Sequence, residues 1–190
     1  MARLNKLTRE EALNLVNKNI TKKNFVYHML AVEAIMKSLA KHFGEDEHLW
    51  GLTGLLHDID YGKTEGTPEK HATLAEEILK DFALPEEIIR AIKAHNYQYT
   101  NVKPETRMEK ALIACDAVSG LLVACALVMP SKKLADVKVK TVRKKFTTKD
   151  FARGVDRERI LFCEEIGIPK EKFFEISLNG LKTISPEIGL

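Results

Sequence analysis

Apolar residues recur at spacings of three and four along nearly the whole 190-residue chain, and no convincing alternating stretch of useful length interrupts them. Three-and-four spacing is the repeat of one helix face, so the chain is expected to be all-α. Local signals set the expected boundaries. Thr8 with Glu11 three residues on predicts a capping box and a first helix. A second opens near Thr21 and ends at Gly44, and a third runs from about Asp46 to His57 and Asp58. Residues 61–66 read as a loop. Thr67-Pro68 predicts the start of a helix carrying His71, and Pro85 that of the next, carrying His95, because proline is tolerated in a first turn. The longest apolar helix spans about 105–129 and stops at Pro130. Shorter helices are expected around 132–146, 150–167 and 169–184.

This length suits one domain with a sizeable core. The formal net charge of +3 is close to balanced. It gives no support for a dedicated nucleic-acid or membrane-surface binder, although local basic patches remain. The three cysteines, Cys115, Cys125 and Cys163, are odd in number and sit among apolar helical residues. They read as reduced core thiols of a cytoplasmic protein. Residues 1–6 carry charge with no continuous apolar run behind them, which argues against a secretory signal. The uncharged run from Ala117 to Met129 is shorter than the ~20 residues a spanning helix needs, so it reads as a buried core helix.

Six side chains stand out against this background. In the second helix Phe25, His28, Val32, Ile35 and Leu39 share one stripe, which turns His28 toward the core. His71 shares a stripe with Leu74, Ala75 and Ile78, and His95 with Ile88, Ala91 and Ile92. His57 and Asp58 close an apolar run. Asp116 interrupts a helix that is apolar nearly all round. A lone inward histidine is more often an ordinary core residue than a ligand, but four of them each need partners for both ring nitrogens. A buried carboxylate needs a cation, a metal or a hydrogen-bond donor. Convergence of all six on a metal centre accounts for them together, while for Asp116 a bond to a neighbouring helix remains the alternative. His42 and His48, at the edges of the Gly44 loop, are expected to be solvated.

Histidine with aspartate, and no thiolate set, suits divalent iron, manganese, zinc, cobalt or nickel. Consecutive residues near a helix end point ~100° apart, so His57 can bind one ion while Asp58 bridges to a second. Two ions ~3.5–4 Å apart can hold a hydroxide and clamp a phosphoryl group.

The order His28, His57-Asp58, Asp116 resembles the HD superfamily of metal-dependent phosphohydrolases, and the segment Leu56-His57-Asp58-Ile59-Asp60-Tyr61-Gly62-Lys63 is similar to that family's HDIG motif. The resemblance covers roughly residues 24–129. It implies an HD-type helical bundle for the whole chain, 1–190, with a core at about 21–130 and a helical extension at about 131–190. By the same resemblance His28, His57, Asp58 and Asp116 hold one metal. His71 and His95 sit where the dinuclear branches carry second-metal histidines. Asn24, Asn96 and the lack of a Gly-Tyr-Pro triplet depart from the HD-GYP branch and argue against cyclic di-GMP chemistry.

The resemblance also implies that Lys63 can pair with a substrate phosphate; an ordinary exposed lysine is the equal alternative. The lysines and arginine of 132–145 either rim the pocket or form a solvated helix face, the second being favoured. Arg153 and Arg157 read equally as structural pairs or phosphate contacts. The expected activity is hydrolysis of a phosphate ester or anhydride, of a nucleotide above all, by metal-activated water. Asp58 and Lys63 are the catalytic candidates, and Lys63 and Asn96 the candidate substrate contacts. A mononuclear nucleotidase, a non-catalytic nucleotide or metal sensor, and di-iron oxygen chemistry are the rivals.

Overall fold

All but one of the predicted helix signals between residues 8 and 130 meet a helix in the structure, a computed structural model that describes residues 7–190. Residues 1–6, and the expectation about a secretory signal there, lie outside the described residues. The described residues contain α-helices and one 3-10 turn, and no strand. Helix α1 (Arg9–Asn19) carries the capping box, with the Glu11 amide donating to Thr8 Oγ1 and the Thr8 amide to the Glu11 carboxylate. Helix α2 (Lys23–Phe43) ends at Gly44, whose φ of 71° is the left-handed cap geometry that glycine adopts at little cost. Asp46 caps α3 (Glu47–Leu56) by accepting from the amides of His48 and Leu49.

Two expectations are corrected between α3 and the next long helix. Residues 61–66 are not wholly loop, because Tyr61–Thr64 close one helical turn, α4. The Thr67-Pro68 signal does not launch a regular helix. Residues 68–72 form successive turns, Ala72 takes a left-handed φ of 69°, and α5 (Thr73–Leu79) starts only afterwards, leaving His71 in the turn before it. The cause is tertiary: the Asp60 carboxylate accepts from the amides of Ala72 (2.7 Å) and Ala75 (3.1 Å), capping α5 from twelve residues away.

Pro85 does open α6 (Glu86–His95), and the short α7 (Tyr97–Thr100) follows. Helix α8 (Arg107–Leu127) starts with a second capping box, Thr106 with Glu109. It is long and apolar enough to cross a membrane by length and composition. Here it is the core helix, packed against α2, α6 and α10, with Ala111 to Cys115, Val118, Leu121 and Leu122 buried. After a 3-10 turn (Leu134–Asp136) come α9 (Val139–Thr147), α10 (Arg157–Glu165) and α11 (Lys170–Lys182). Helix α11 lies against α2, and α10 against α8, so the C-terminal helices close the same core. All three cysteines are buried and free, and burial pushes the thiols up, to about 11 for Cys125 and about 12 for Cys163. They stay as unreactive thiols.

Candidate metal centre

Four helices aim five of the six donors at one region. Helix α2 supplies His28, the C-terminal end of α3 supplies His57 and Asp58, α6 ends on His95, and Asp116 sits midway along α8. His71 joins them from the turn before α5. The close approach of α3 to α2 depends on Gly54, where a Cβ would stand 2.9 Å from the Glu33 amide nitrogen and from the Val32 carbonyl oxygen. Five of the six donors, all but the fully buried His57, line a cavity of about 450 Å³ that also takes in Asn24, Phe25, Tyr61, Asn96 and Arg159.

Ring protonation follows from what each Nδ1 meets. His57 Nδ1 lies 2.8 Å from the Gly54 carbonyl and His95 Nδ1 lies against the Ile92 carbonyl. A carbonyl only accepts, so both Nδ1 atoms carry protons. His71 Nδ1 donates to the Asp60 carboxylate at 2.9 Å. Ser119 Oγ spends its proton on the Asp116 carbonyl, 2.8 Å away, and so accepts from His28 Nδ1 at 3.1 Å. In the neutral rings all four Nε2 atoms are therefore bare lone pairs, and all four point inward. His28 and His57 Nε2 are 3.3 Å apart, and His71 and His95 Nε2 are 3.0 Å apart. Two lone pairs at that distance repel unless a proton or a cation stands between them. This pattern, Nδ1 bound and Nε2 offered, is how metal-ligating histidines are held.

Asp58 joins the two pairs. Its Oδ1 is 3.3 Å from His57 Nε2, 3.3 Å from His71 Nε2 and 3.4 Å from His95 Nε2, while Oδ2 is 3.6 Å from His28 Nε2. Asp116 Oδ1 is 3.2 Å from His28 Nε2 and 3.9 Å from His57 Nε2. Ligand atoms about 2.0–2.2 Å from a shared ion stand roughly 3 Å apart at right angles, so these spacings fit coordination. Two groups could each hold an ion: His28, His57 and Asp58, and Asp58, His71 and His95. Asp58 belongs to both.

The electrostatics agree. Burial draws His57 down to about 4, against the pull of the nearby carboxylates, so it stays neutral and available. Burial also lowers His28, but the Asp116 and Asp58 carboxylates outweigh it and leave His28 raised. Burial would raise Asp58, yet protons held among the surrounding imidazoles of the metal-free site, the place a cation would take, keep it well below its usual 3.8. Asp116 is likewise held below the usual carboxylate range, by His28 and then by Arg159. Both acids are ionised and ready to balance cations.

All six predicted donors are thus brought together. Asn96 lines the cavity, where its amide donates to the Pro68 and His71 carbonyls at 2.8 and 3.0 Å and so fixes the His71 turn. Lys63 is exposed on α4 and lies outside the lining residues. His42 and His48 are exposed, as expected. Arg153 makes an exposed pair with Asp150, and Arg157 donates to a ring of carbonyls, those of Phe146, Thr148, Ala152 and Val155 among them, which makes Arg157 structural. Sequence reasoning missed Arg159, which donates to Asp116 Oδ2 at 3.0 Å and to the His95 carbonyl at 2.8 Å. It lies 43 residues beyond Asp116, and no local pattern marked it. Asp60 and Ser119, which set two of the ring tautomers, were also passed over.

The pattern of the HD domain family matches residues 25–121. Ribonuclease Y of Lawsonia intracellularis is 33% identical over 97 residues, 51% of this chain and 18% of that protein. Ribonuclease Y of Aliarcobacter butzleri is 34% identical over the same shares. An uncharacterized protein of Methanocaldococcus jannaschii is 34% identical over 91 residues, 45% of this chain and 52% of that protein. The chain therefore spans less than a fifth of the ribonuclease Y proteins it matches. No solved structure matches it significantly. With half its length covered by the family pattern, and the His-Asp pair at the heart of the matched segment, the chain belongs to the HD domain family.

Proposed function

We propose that this protein is a metal-dependent phosphohydrolase that uses two divalent ions to cleave a phosphate ester or anhydride, a nucleotide being the expected substrate. The observation that carries this reading is the set of four inward Nε2 lone pairs around a shared, ionised Asp58. His28, His57, Asp58 and Asp116 would hold one ion, and Asp58, His71 and His95 the other. Bound there, the ions would acidify a water and bind phosphoryl oxygens.

The chain's own residues do the rest. Asp58, between the two groups, is placed to orient that water and take its proton. Arg159 holds Asp116 by one oxygen and leaves Oδ1 free to face the His28 pair. Asn96, the expected phosphate contact, has both amide hydrogens on the Pro68 and His71 carbonyls, so at the cavity wall it would serve the site by holding the His71 turn. Lys63, two residues past the cavity-lining Tyr61, would meet substrate charge from outside. Buried, unreactive thiols fit a cytoplasmic setting.

A second reading has support in the donor count, because the first group has Asp116 as a fourth donor and the second has three. A mononuclear nucleotidase would keep only the first ion. One experiment separates these. Purified protein loaded with Mn²⁺ is assayed by metal analysis and by phosphate release from nucleotides, dinucleoside polyphosphates, a short RNA and simple phosphoesters. We expect two ions per chain, turnover on at least one nucleotide, and loss of turnover by more than about a hundredfold in Asp58→Ala. His71→Ala should retain one ion and lose activity; retained activity favours the mononuclear reading. Tight nucleotide binding without any turnover would mark a sensor, and dependence on dioxygen would mark oxidation chemistry. Wild-type protein with neither stoichiometric metal nor phosphate release sinks the proposal.

A further inference from the structure

The near-balanced total charge conceals a sharp segregation. Residues 132–149 hold eight lysines and arginines and a single acid, Asp136, a net +7, whereas the whole chain is +3 and the rest is therefore −4. Elsewhere lysines pair with acids, Lys37 with Glu33 one turn away on α2, and Lys22 with Glu65, Lys93 with Glu76 and Lys110 with Glu165 across elements. Among the described residues none of the eight has an acidic partner. Asp136 instead accepts from Ser131. Four of the eight, Lys140, Arg143, Lys144 and Lys145, share the short helix α9, where like charges one turn apart repel.

These cations border a groove of about 810 Å³ between α9 and the start of α11, lined by Lys140, Lys144, Lys145, Phe146 and Lys170, with Glu171 its lone acid. Rings stand among the charges. Lys170 Nζ is 5.2 Å from the centre of the Phe146 ring and Lys145 Nζ is 4.4 Å from that of Phe151. The chain that follows α9 also continues to the metal centre. Arg157 ties the Phe146–Val155 stretch to α10 through its carbonyls, and two residues later Arg159 grips Asp116. The segment lies beyond the family match, which ends at residue 121.

We propose that the α9 groove is a docking site for single-stranded nucleic acid, whose phosphates meet the unpaired lysines and whose bases reach the phenylalanine rings. A polyanion is the charge-complementary occupant, and cations interleaved with rings suit a flexible strand. A membrane surface fits less well, because the large exposed apolar residues, Tyr99, Leu127 and Val128, are not on α9.

The test is fluorescence anisotropy of a labelled oligouridine RNA titrated with the full chain at several salt concentrations. We expect saturable binding at low salt that weakens as salt rises. Lys140→Glu/Lys144→Glu should lower affinity at least about tenfold and flatten the log–log salt slope by about 0.7 per lost phosphate contact. Metal content should be unchanged, since neither lysine touches the metal centre, and the thermal melt should not fall, since charge reversal relieves repulsion on α9. Should charge reversal disturb the fold, Lys140→Gln/Lys144→Gln is read in the same titration. Absence of binding by the wild type, or equal binding by the variants, overturns the proposal. So does capture of phosphatidylserine vesicles with no RNA bound.

Discussion

In the metal-free protein burial draws the His71 imidazole down, but hydrogen bonds to Asp58 and Asp60 outweigh it and hold the ring near a pKa of about 10, against 6.5 when unfolded. A histidine raised in this way stabilises the fold fully below its unfolded value and loses that contribution as pH climbs through the folded one. The metal-free protein is therefore expected to melt at progressively lower temperature between about pH 6.5 and about 10. A divalent ion takes the same Nε2 lone pair as the proton, so each excludes the other. With saturating Mn²⁺ the trend should reverse, because rising pH clears His71 for the ion. Melting curves in chelator and in Mn²⁺ check this, and His71→Gln should flatten both trends; parallel curves would remove His71 from the ligand set. Part of this was readable from residues alone. His57 and His95 reach carbonyls three residues back at their own helix ends, a local feature. Asp60, Ser119 and Arg159 act across the fold from 11, 91 and 43 residues away, and nothing local announced them.

Among the elements, the α2–α3 contact sets the spacing of His28 from His57, and Gly54 permits it. Gly54→Ala would drive a Cβ into the backbone of Val32 and Glu33, which cannot swing aside. Overpacking of this kind costs about 1–3 kcal/mol, and a chain of this size loses roughly 2–4 °C in Tm per kcal/mol. The variant is expected to melt lower and to retain less metal. Gly51→Ala is the control, because its Cβ would meet only the flexible Lys37 side chain; equal effects from the two would show that the helix approach is not what matters. Stripes and caps made α1, α2, α3, α6 and α8 legible in the sequence, since each owes its ends to neighbours a few residues away. The turn holding His71 was not legible. Its geometry is imposed by Asp60 from one side and Asn96 from the other, and these distant bonds override the Thr67-Pro68 signal.

For the molecule as a whole, the question is whether the C-terminal helices are an appendage or part of the core. The family pattern ends at residue 121, yet Phe173, Phe174, Leu178 and Leu181 of α11 are buried in the same apolar cluster as Ile35 and Leu39 of α2. Gly180 lets α11 approach so closely that a Cβ there would stand 2.9 Å from the Ala34 carbonyl. Removing these helices would bare large side chains on α2 and α8, at a cost of about 25 cal/mol for each Å² of apolar surface exposed. It would also strip Arg159 from Asp116, leaving that partly buried carboxylate without its guanidinium. Both arguments lead us to expect one cooperative unit. Calorimetry of the full chain is expected to show a single transition whose calorimetric and van't Hoff enthalpies agree. A chain ending at Met129 should show no cooperative melt and bind no stoichiometric metal. Two resolved transitions, or a truncated chain that melts cooperatively with its ions in place, would make the extension a separate module and reduce Arg159 to a bystander at the metal centre.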